Sequence, residues 1–333
     1  MIPRIQSPEQ RPQWQTLLAQ AVNSTDELLR ILQIDPAQLK TRPLDNKFPL
    51  RVPRGFIQRM RKGDCRDPLL LQVLPLQEEA QTAAGFVPDP LDELDSMPVP
   101  GLLHKYQGRA LLTTTGACAI HCRYCFRRHF PYTDANPLAD QWQQSVDYVA
   151  QHSDITELIL SGGDPLTLTD ARLHSLTDRL ADIPHLHTLR IHTRLPVVLP
   201  ERIDTGLLSW LASQQLKTVL VIHCNHPNEM DTDVREAMTR LRHAGVTLLN
   251  QSVLLRGIND NSATLIRLSE QLFAAGILPY YLHQLDKVEG AAHFEVDNIT
   301  ARQLIAEIAA SLPGYLVPRL VQEVPGMPGK NPL

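Results

Sequence analysis

Arg109-Ala-Leu-Leu-Thr-Thr-Thr115 and, after Gly116-Ala117, Cys118-Ala-Ile-His-Cys122-Arg-Tyr-Cys125-Phe-Arg-Arg128 decide how this chain folds. The first run has the pattern of a buried strand. It is followed by three cysteines within eight positions. Clustered thiolates are soft ligands suited to zinc or to an iron–sulfur cluster. Three of them hold three irons of a four-iron cube and leave the fourth iron open to an outside ligand. A closed zinc site needs a fourth protein ligand and normally shows a second paired C-x-x-C. Cys65 and Cys224 are isolated, but His121 or His129 would complete a zinc site, so on spacing alone both metals stay open.

From residue 104 onward, strand and helix patterns alternate. Strands are predicted over Arg109–Thr115, Glu157–Leu160, Thr188–Thr193, Thr218–His223, Thr247–Leu254 and Leu278–Gln284, with amphipathic stretches such as Gln141–Gln151, Ala171–Ala181 and Asp233–His243 between them. Apolar strands alternating with helices imply parallel pairing, because each crossover lays a helix over the sheet. Six such units without a dinucleotide glycine fingerprint fit a closed or partly closed (β/α) barrel better than a doubly wound sheet. The polar residues of interest fall where strands end, as chemistry in such barrels does.

Before residue 104 the character differs. Trp14 to Ile34 carries Leu17, Leu18, Val22, Leu28, Leu29 and Leu32 at helical spacing, with Ser24-Thr25-Asp26 as a cap between two helices. Proline-punctuated stretches and the acidic run Asp89 to Ser96, ending in Pro98-Val-Pro-Gly101, read as a linker. The expected organisation is a mainly helical region and linker over 1–103, a barrel core over 104–290 and a C-terminal segment over 291–333.

With 333 residues, 43% hydrophobic and 20% charged, the chain has the balance of a soluble globular enzyme. A net charge of −4 without a long basic block argues against nucleic acid as a partner. The start, Met1-Ile-Pro-Arg-Ile, lacks an apolar signal core, and no stretch approaches a membrane span. Five cysteines, three of them clustered, are not a disulfide framework, so a cytoplasmic setting is expected. Assembly into a homo-oligomer stays open.

Ser161-Gly162-Gly163-Asp164-Pro165 follows the second strand. Paired glycines admit close backbone approach and Asp164 offers a carboxylate to an amine, although the run alone reads more readily as a tight turn. Together with the cysteines it resembles the radical S-adenosylmethionine superfamily. The resemblance narrows to the lysine 2,3-aminomutase family through Tyr106-Gln-Gly-Arg109, Cys122-Arg-Tyr-Cys125-Phe-Arg-Arg128, Arg194-Leu-Pro-Val-Val-Leu-Pro200, His223-Cys-Asn-His-Pro-Asn-Glu229, Asn250-Gln-Ser-Val-Leu-Leu-Arg-Gly-Ile-Asn-Asp260 and Pro279-Tyr-Tyr281, in order over about residues 100 to 330.

That resemblance implies a partial (β/α)6-type barrel carrying a [4Fe-4S] cluster on Cys118, Cys122 and Cys125. It implies S-adenosylmethionine held by Tyr124, Gly162, Gly163, Asp164, His223 and Gln251, and pyridoxal 5′-phosphate carried on Lys330 with help from Tyr106 and Arg109. The substrate, free L-lysine, would be held through its carboxylate by Arg127 and through its ε-ammonium by Asp286 and Glu323. Read alone, Lys330 is a solvated tail residue, Arg127 and Arg128 a solvated basic loop and Asp286 a surface ion pair. The implied reaction is a radical 1,2-amino shift giving β-lysine, driven by an external electron donor. Glu323 stands where the free-lysine enzymes carry Asp, and His283 where they carry a tyrosine. Asn261 lies where longer relatives supply a zinc cysteine, and the sequence stops three residues past Lys330. These departures resemble the short bacterial branch that makes (R)-β-lysine for a ligase acting on elongation factor P.

Overall fold

The computed structural model describes residues 12–39, 48–132 and 142–333. The expected absence of a signal core concerns residues that lie outside these ranges. The sheet has nine strands in chain order: β1 (Leu102–Tyr106), β2 (Arg109–Thr115), β3 (Glu157–Gly162), β4 (Thr188–Thr193), β5 (Lys217–His223), β6 (Thr247–Val253), β7 (Leu278–His283), β8 (Arg319–Gln322) and β9 (Asn331–Pro332). β2 to β8 are parallel to their neighbours, while β1 and β9 add antiparallel edges. The sheet does not close on itself, so the fold is a partial barrel.

The six expected strands are β2 to β7. β8 escapes the sequence pattern because Arg319-Leu-Val-Gln322 is only four residues long, too short for a period to register. β1 escapes it too. It turns back into β2 through Gln107-Gly108, with Gly108 at φ 78°, and the boundary expected between residues 103 and 104 falls inside it.

The strands are buried because helices cover one face. Asp170–Ala181 buries Leu173, Leu176, Thr177 and Leu180, a single stripe at helical spacing. Thr232–His243 is capped by Asp231, which accepts from Val234 N–H at 3.0 Å, and ends in Arg240, Arg242 and His243, favourable at a helix C-terminus. β4 shows both faces clearly: Leu189, Ile191 and Thr193 are buried, whereas Arg190 and His192 are half-buried on the other side.

Residues before β1 are not a separate body. Two helices form as expected, Gln13–Ala19 and Thr25–Leu32, the second capped by Ser24. Their Trp14, Leu28 and Leu32, with Phe56 and Leu70, join one continuous core with Leu158, Leu189 and Trp210. Arg59 reaches across to the carbonyls of Val197 and Glu229 at 2.6 and 2.8 Å. The expected linker is a packed strap. Val87 bridges Val288, Leu91 O accepts from Lys105 Nζ at 2.6 Å, and Glu93 is 4% exposed. Its acids and prolines resemble a linker locally, but Glu93 has a partner on the cysteine loop.

That loop is seated on Gly162-Gly163. A Cβ on Gly162, at φ 112°, would fall 2.6 Å from Thr115 O, and one on Gly163 2.3 Å from Ala117 O. The paired glycines are needed because the cysteine loop's own backbone lies against them. Gly163→Ala should therefore destabilise by about 1–3 kcal/mol through overpacking and lower iron retention. Gly55→Ala, in open space on a helix, should not lower the melting temperature. Thermal melts and iron assays of both variants check this, and equal melting of the two would contradict it.

Candidate active site

The C-terminal ends of the parallel strands surround a cavity of about 420 Å³. It gathers most of the residues expected to act: the three cysteines, Tyr124, Arg127, Gly162, Gly163 and Asp164 from the β2 and β3 ends, His223 and Gln251 from β5 and β6, and Asp286, Glu323 and Lys330. Tyr106 and Arg109 are not in its wall. They sit behind Glu323, where the Tyr106 hydroxyl bonds that carboxylate and the Arg109 guanidinium stacks 4.7 Å over the Tyr106 ring.

Burial, then neighbouring cysteines, pushes the Cys118 thiol well up and Cys125 to about 12. Such thiols ionise only when a cation takes the proton's place. No group of three or more His, Cys, Asp or Glu among the described residues converges on a single ion. All three cysteines line the one cavity, and soft thiolates supplied by a single loop are the donor set that an iron–sulfur cluster takes.

Behind Cys122 lies a buried network. Arg194 Nη1 donates to Cys122 Sγ and to the Tyr124 hydroxyl, both at 2.7 Å, and its Nη2 donates to Gln72 at 2.7 Å and Glu229 at 3.0 Å. Asn225 Nδ2 donates to the same hydroxyl at 2.7 Å, and His223 Nε2 lies 2.9 Å from it. Burial, then Arg194, pushes His223 well below the usual histidine range, so it is neutral.

Two of the expected residues are already engaged within the protein. Asp164 does not present a free carboxylate to an amine. Its oxygens accept from Thr193 Oγ1 at 2.6 Å and from the N–H groups of Leu166, Arg194 and Leu195 at 3.1, 2.8 and 3.0 Å, which fills its acceptor positions. Arg127 does not hold its fork open for a substrate carboxylate. Nε and Nη2 grip Glu93 at 2.6 and 2.7 Å, while Nη1 donates to Ser161 Oγ and Gly162 O, which among the described residues leaves one of five N–H groups uncommitted.

Asp286 lines the cavity, its carboxyl pushed up to about 7 by burial and by Glu323, against the opposing charge of Lys330. Glu323 accepts from Lys330 Nζ at 2.7 Å and lies 3.9 Å from Lys105 Nζ. His192 and His283 stand in the same wall, each with a buried Nε2 that has no partner among the described residues. Burial is the main cause that lowers both imidazoles, and Lys330 adds to it. A chamber with a lysine and two unpaired ring nitrogens suits a polar aromatic aldehyde such as pyridoxal phosphate. Glu93, Lys105, Gln72 and His192 join the site without any sequence signal, since none of them belongs to a local motif.

The family model described as "4Fe-4S single cluster domain" matches residues 107–185, which include all three clustered cysteines. The L-lysine 2,3-aminomutase of Escherichia coli K12 is 53% identical over 325 residues, 97% of this chain and 95% of that protein. The chain belongs to the lysine 2,3-aminomutase family. The L-lysine 2,3-aminomutase of Haemophilus influenzae is 48% identical, covering 96% of this chain and 94% of its own length. A crystal structure of a radical SAM methyltransferase from Sphaerobacter thermophilus aligns over 66% of this chain and 68% of its own, with a TM-score of 0.48 and 16% identity. This chain is accordingly an enzyme of the isomerase class, and the family's cofactors, the [4Fe-4S] cluster, S-adenosylmethionine and pyridoxal phosphate, apply to it.

Each thiolate of the trio is expected to hold one iron. Cys118→Ala, Cys122→Ala and Cys125→Ala should each lose the brown chromophore after anaerobic reconstitution, whereas Cys65→Ala and Cys224→Ala should keep it. Iron and sulfide content with electron paramagnetic resonance reads the outcome, and an intact cluster in Cys122→Ala would refute the assignment.

Proposed function

We propose that this enzyme converts free L-lysine to (R)-β-lysine and that a separate ligase attaches the product to elongation factor P. The observation that carries the reading is one cavity in which the cluster cysteines, Lys330 and the carboxylates of Asp286 and Glu323 meet, in a chain matched along nearly its whole length by lysine aminomutases. When bound, the cluster with S-adenosylmethionine supplies a carbon radical, and pyridoxal phosphate supplies a conjugated ring for the migrating nitrogen.

The chain's own residues position these parts. Cys118, Cys122 and Cys125 would hold the irons, and Tyr124, His223 and Gln251, which line the cavity, would help hold S-adenosylmethionine. Gly162 and Gly163 seat the loop beneath it. Lys330 would carry the pyridoxal group, and Tyr106 and Arg109, set back from the wall, would act on it only through Glu323. Asp286 and Glu323 make the cavity unfavourable to an acidic side chain and favourable to an ammonium. A substrate carboxylate that reached Arg127 would take its one free N–H or exchange with Glu93. Reducing electrons come from an external donor.

Free lysine is preferred over lysine within a protein because a peptide-bound residue lacks both the α-carboxylate and the α-amine that the pyridoxal group must engage. Reconstituted enzyme given L-lysine, S-adenosylmethionine and a reductant should yield β-lysine, and chiral chromatography should show the R form. Loss of the gene should leave elongation factor P without its β-lysyl group, restored by supplied (R)-β-lysine. Activity confined to lysine already joined to that factor would overturn the reading.

The two cofactors sit on different segments, so they should separate. Lys330→Ala should lose covalently trapped pyridoxal phosphate while keeping iron content and the cluster spectrum. Loss of both together would contradict this division.

A further inference from the structure

Arg194, at the end of β4, reaches a cysteine 72 residues away in the chain: its Nη1 donates to Cys122 Sγ at 2.7 Å. The guanidinium is aimed by several partners at once. Asp164 holds the Arg194 main-chain N–H at 2.8 Å, and the ring of Phe56 lies 5.5 Å from the guanidinium carbon. On the other side of the fork, Nη2 donates to Gln72 Oε1 at 2.7 Å and to Glu229 Oε2 at 3.0 Å. Glu229 is itself fixed, because its Oε1 accepts from the N–H groups of Asn225 and His226 at 3.0 Å each and from Gln72 Nε2 at 3.2 Å. The carboxylate's charge is thus shared among several donors, and the Nη1 end of the cation is left facing sulfur. Arg194 is 6% exposed and Glu229 is fully buried. With water excluded, a charge beside the sulfur acts more strongly than it would at the surface. Cys125, by contrast, takes a main-chain N–H, that of Arg127.

We propose that Arg194 is a positioning residue for cluster reduction: its bond to Cys122 Sγ raises the potential at which the cluster accepts an electron. A thiolate bound to one iron keeps lone pairs that accept hydrogen bonds, so the N–H···S contact and the iron–sulfur bond are compatible. One electron from the external donor takes the cluster from its 2+ to its 1+ state, and no bond breaks and no proton moves. The added negative charge falls partly on the cysteine sulfurs, where a donating cation stabilises it. Net charge and hydrogen bonds to the sulfurs are among the levers that set the potential of such clusters. Glu229, on the far side of the guanidinium, aims the cation and offsets part of its charge. The role is independent of the lysine reading, since it acts before any amino acid is rearranged.

The test uses reconstituted enzyme carrying the cluster and pyridoxal phosphate, titrated with dithionite and low-potential mediators while electron paramagnetic resonance reads the reduced cluster. Arg194→Gln should keep its iron and sulfide but show a ratio of reduced to oxidised cluster about tenfold lower at a set potential, a midpoint about 59 mV more negative for a one-electron couple. Arg194→Lys, which keeps the charge, should stand nearer to wild type. Arg202 is the control for burial alone. It is fully buried over Trp14, and its partners are Leu166 O, Leu168 O and Asp170, not a cluster ligand. Arg202→Gln should lower the melting temperature and leave the midpoint in place. Should Arg194→Gln fail to fold because Glu229 is left without its cation, Arg194→Gln with Glu229→Gln removes both charges and should still reduce at a lower potential than wild type. A second measurement needs no variant to fold. Wild-type enzyme made with arginine labelled by nitrogen-15 in its guanidino group should, once reduced, show a nitrogen-15 coupling to the cluster in electron–nuclear double resonance, and Arg194→Lys should lack it. An unmoved midpoint in Arg194→Gln, an equal shift in Arg202→Gln, or no such coupling in the wild type would overturn the proposal.

Discussion

The carboxylate of Asp164 accepts four hydrogen bonds inside the protein and through them ties the end of β3 to the end of β4. Burial raises its pKa, and these donors are what oppose the rise. Hydrogen bonds to a charged group are worth about 1.5–3 kcal/mol each, so a saturated set is costly to disturb. Two consequences pass outward from it. Its neighbour Gly163 lies so close to Ala117 that the cysteine loop is positioned by backbone against backbone. Its partner Arg194 is held by the main chain, which aims the guanidinium at Cys122, Tyr124, Gln72 and Glu229. The cavity wall on the cluster side hangs from this one residue.

The cysteine loop is strongly basic, and buried arginines are stable only when paired. Each anion comes from residues before β1. Glu79 takes both Arg123 and Arg128, and Glu93 takes Arg127 in a bidentate grip. The region before the barrel thus supplies the negative charge that lets three arginines stand beside the cluster ligands. Phe48 adds a ring beneath Arg123 and Arg128. The proline-rich strap belongs to the site although its composition resembles a spacer.

What was legible in the sequence follows the range of each interaction. β2 and β4 match their expected bounds because a long apolar or alternating run is a local signal. The cysteine trio was equally legible, since one loop carries all its ligands. Lys330 was legible only through family resemblance, because the hairpin that brings it to the cavity depends on the short β8 and β9, which carry no period. Glu93 and Gln72 were illegible for a different reason. Their partners lie 34 and 122 residues away along the chain, and nothing in the local pattern encodes such a pairing. The internal engagement of Asp164 was illegible for the same reason, because three of its four donors come from Thr193 to Leu195.

Charge balance also governs how the cavity receives its substrate. A buried carboxylate without a partner is expensive, and proteins usually respond by keeping the proton on. Asp286, raised to about 7, does this while Glu323 keeps its charge against Lys330. Below that pH, before a ligand binds, the site therefore holds a neutral acid rather than an unpaired anion. An arriving ammonium reverses the balance, since an opposite charge within a few ångströms favours the ionised form, and the proton leaves as the ligand binds. A neutral side chain gives no such return: it must leave Asp286 protonated, with the acid's hydrogen-bonding capacity facing apolar atoms. Ionisation of Asp286 is thus stabilised by a cation in the cavity and not by a neutral side chain.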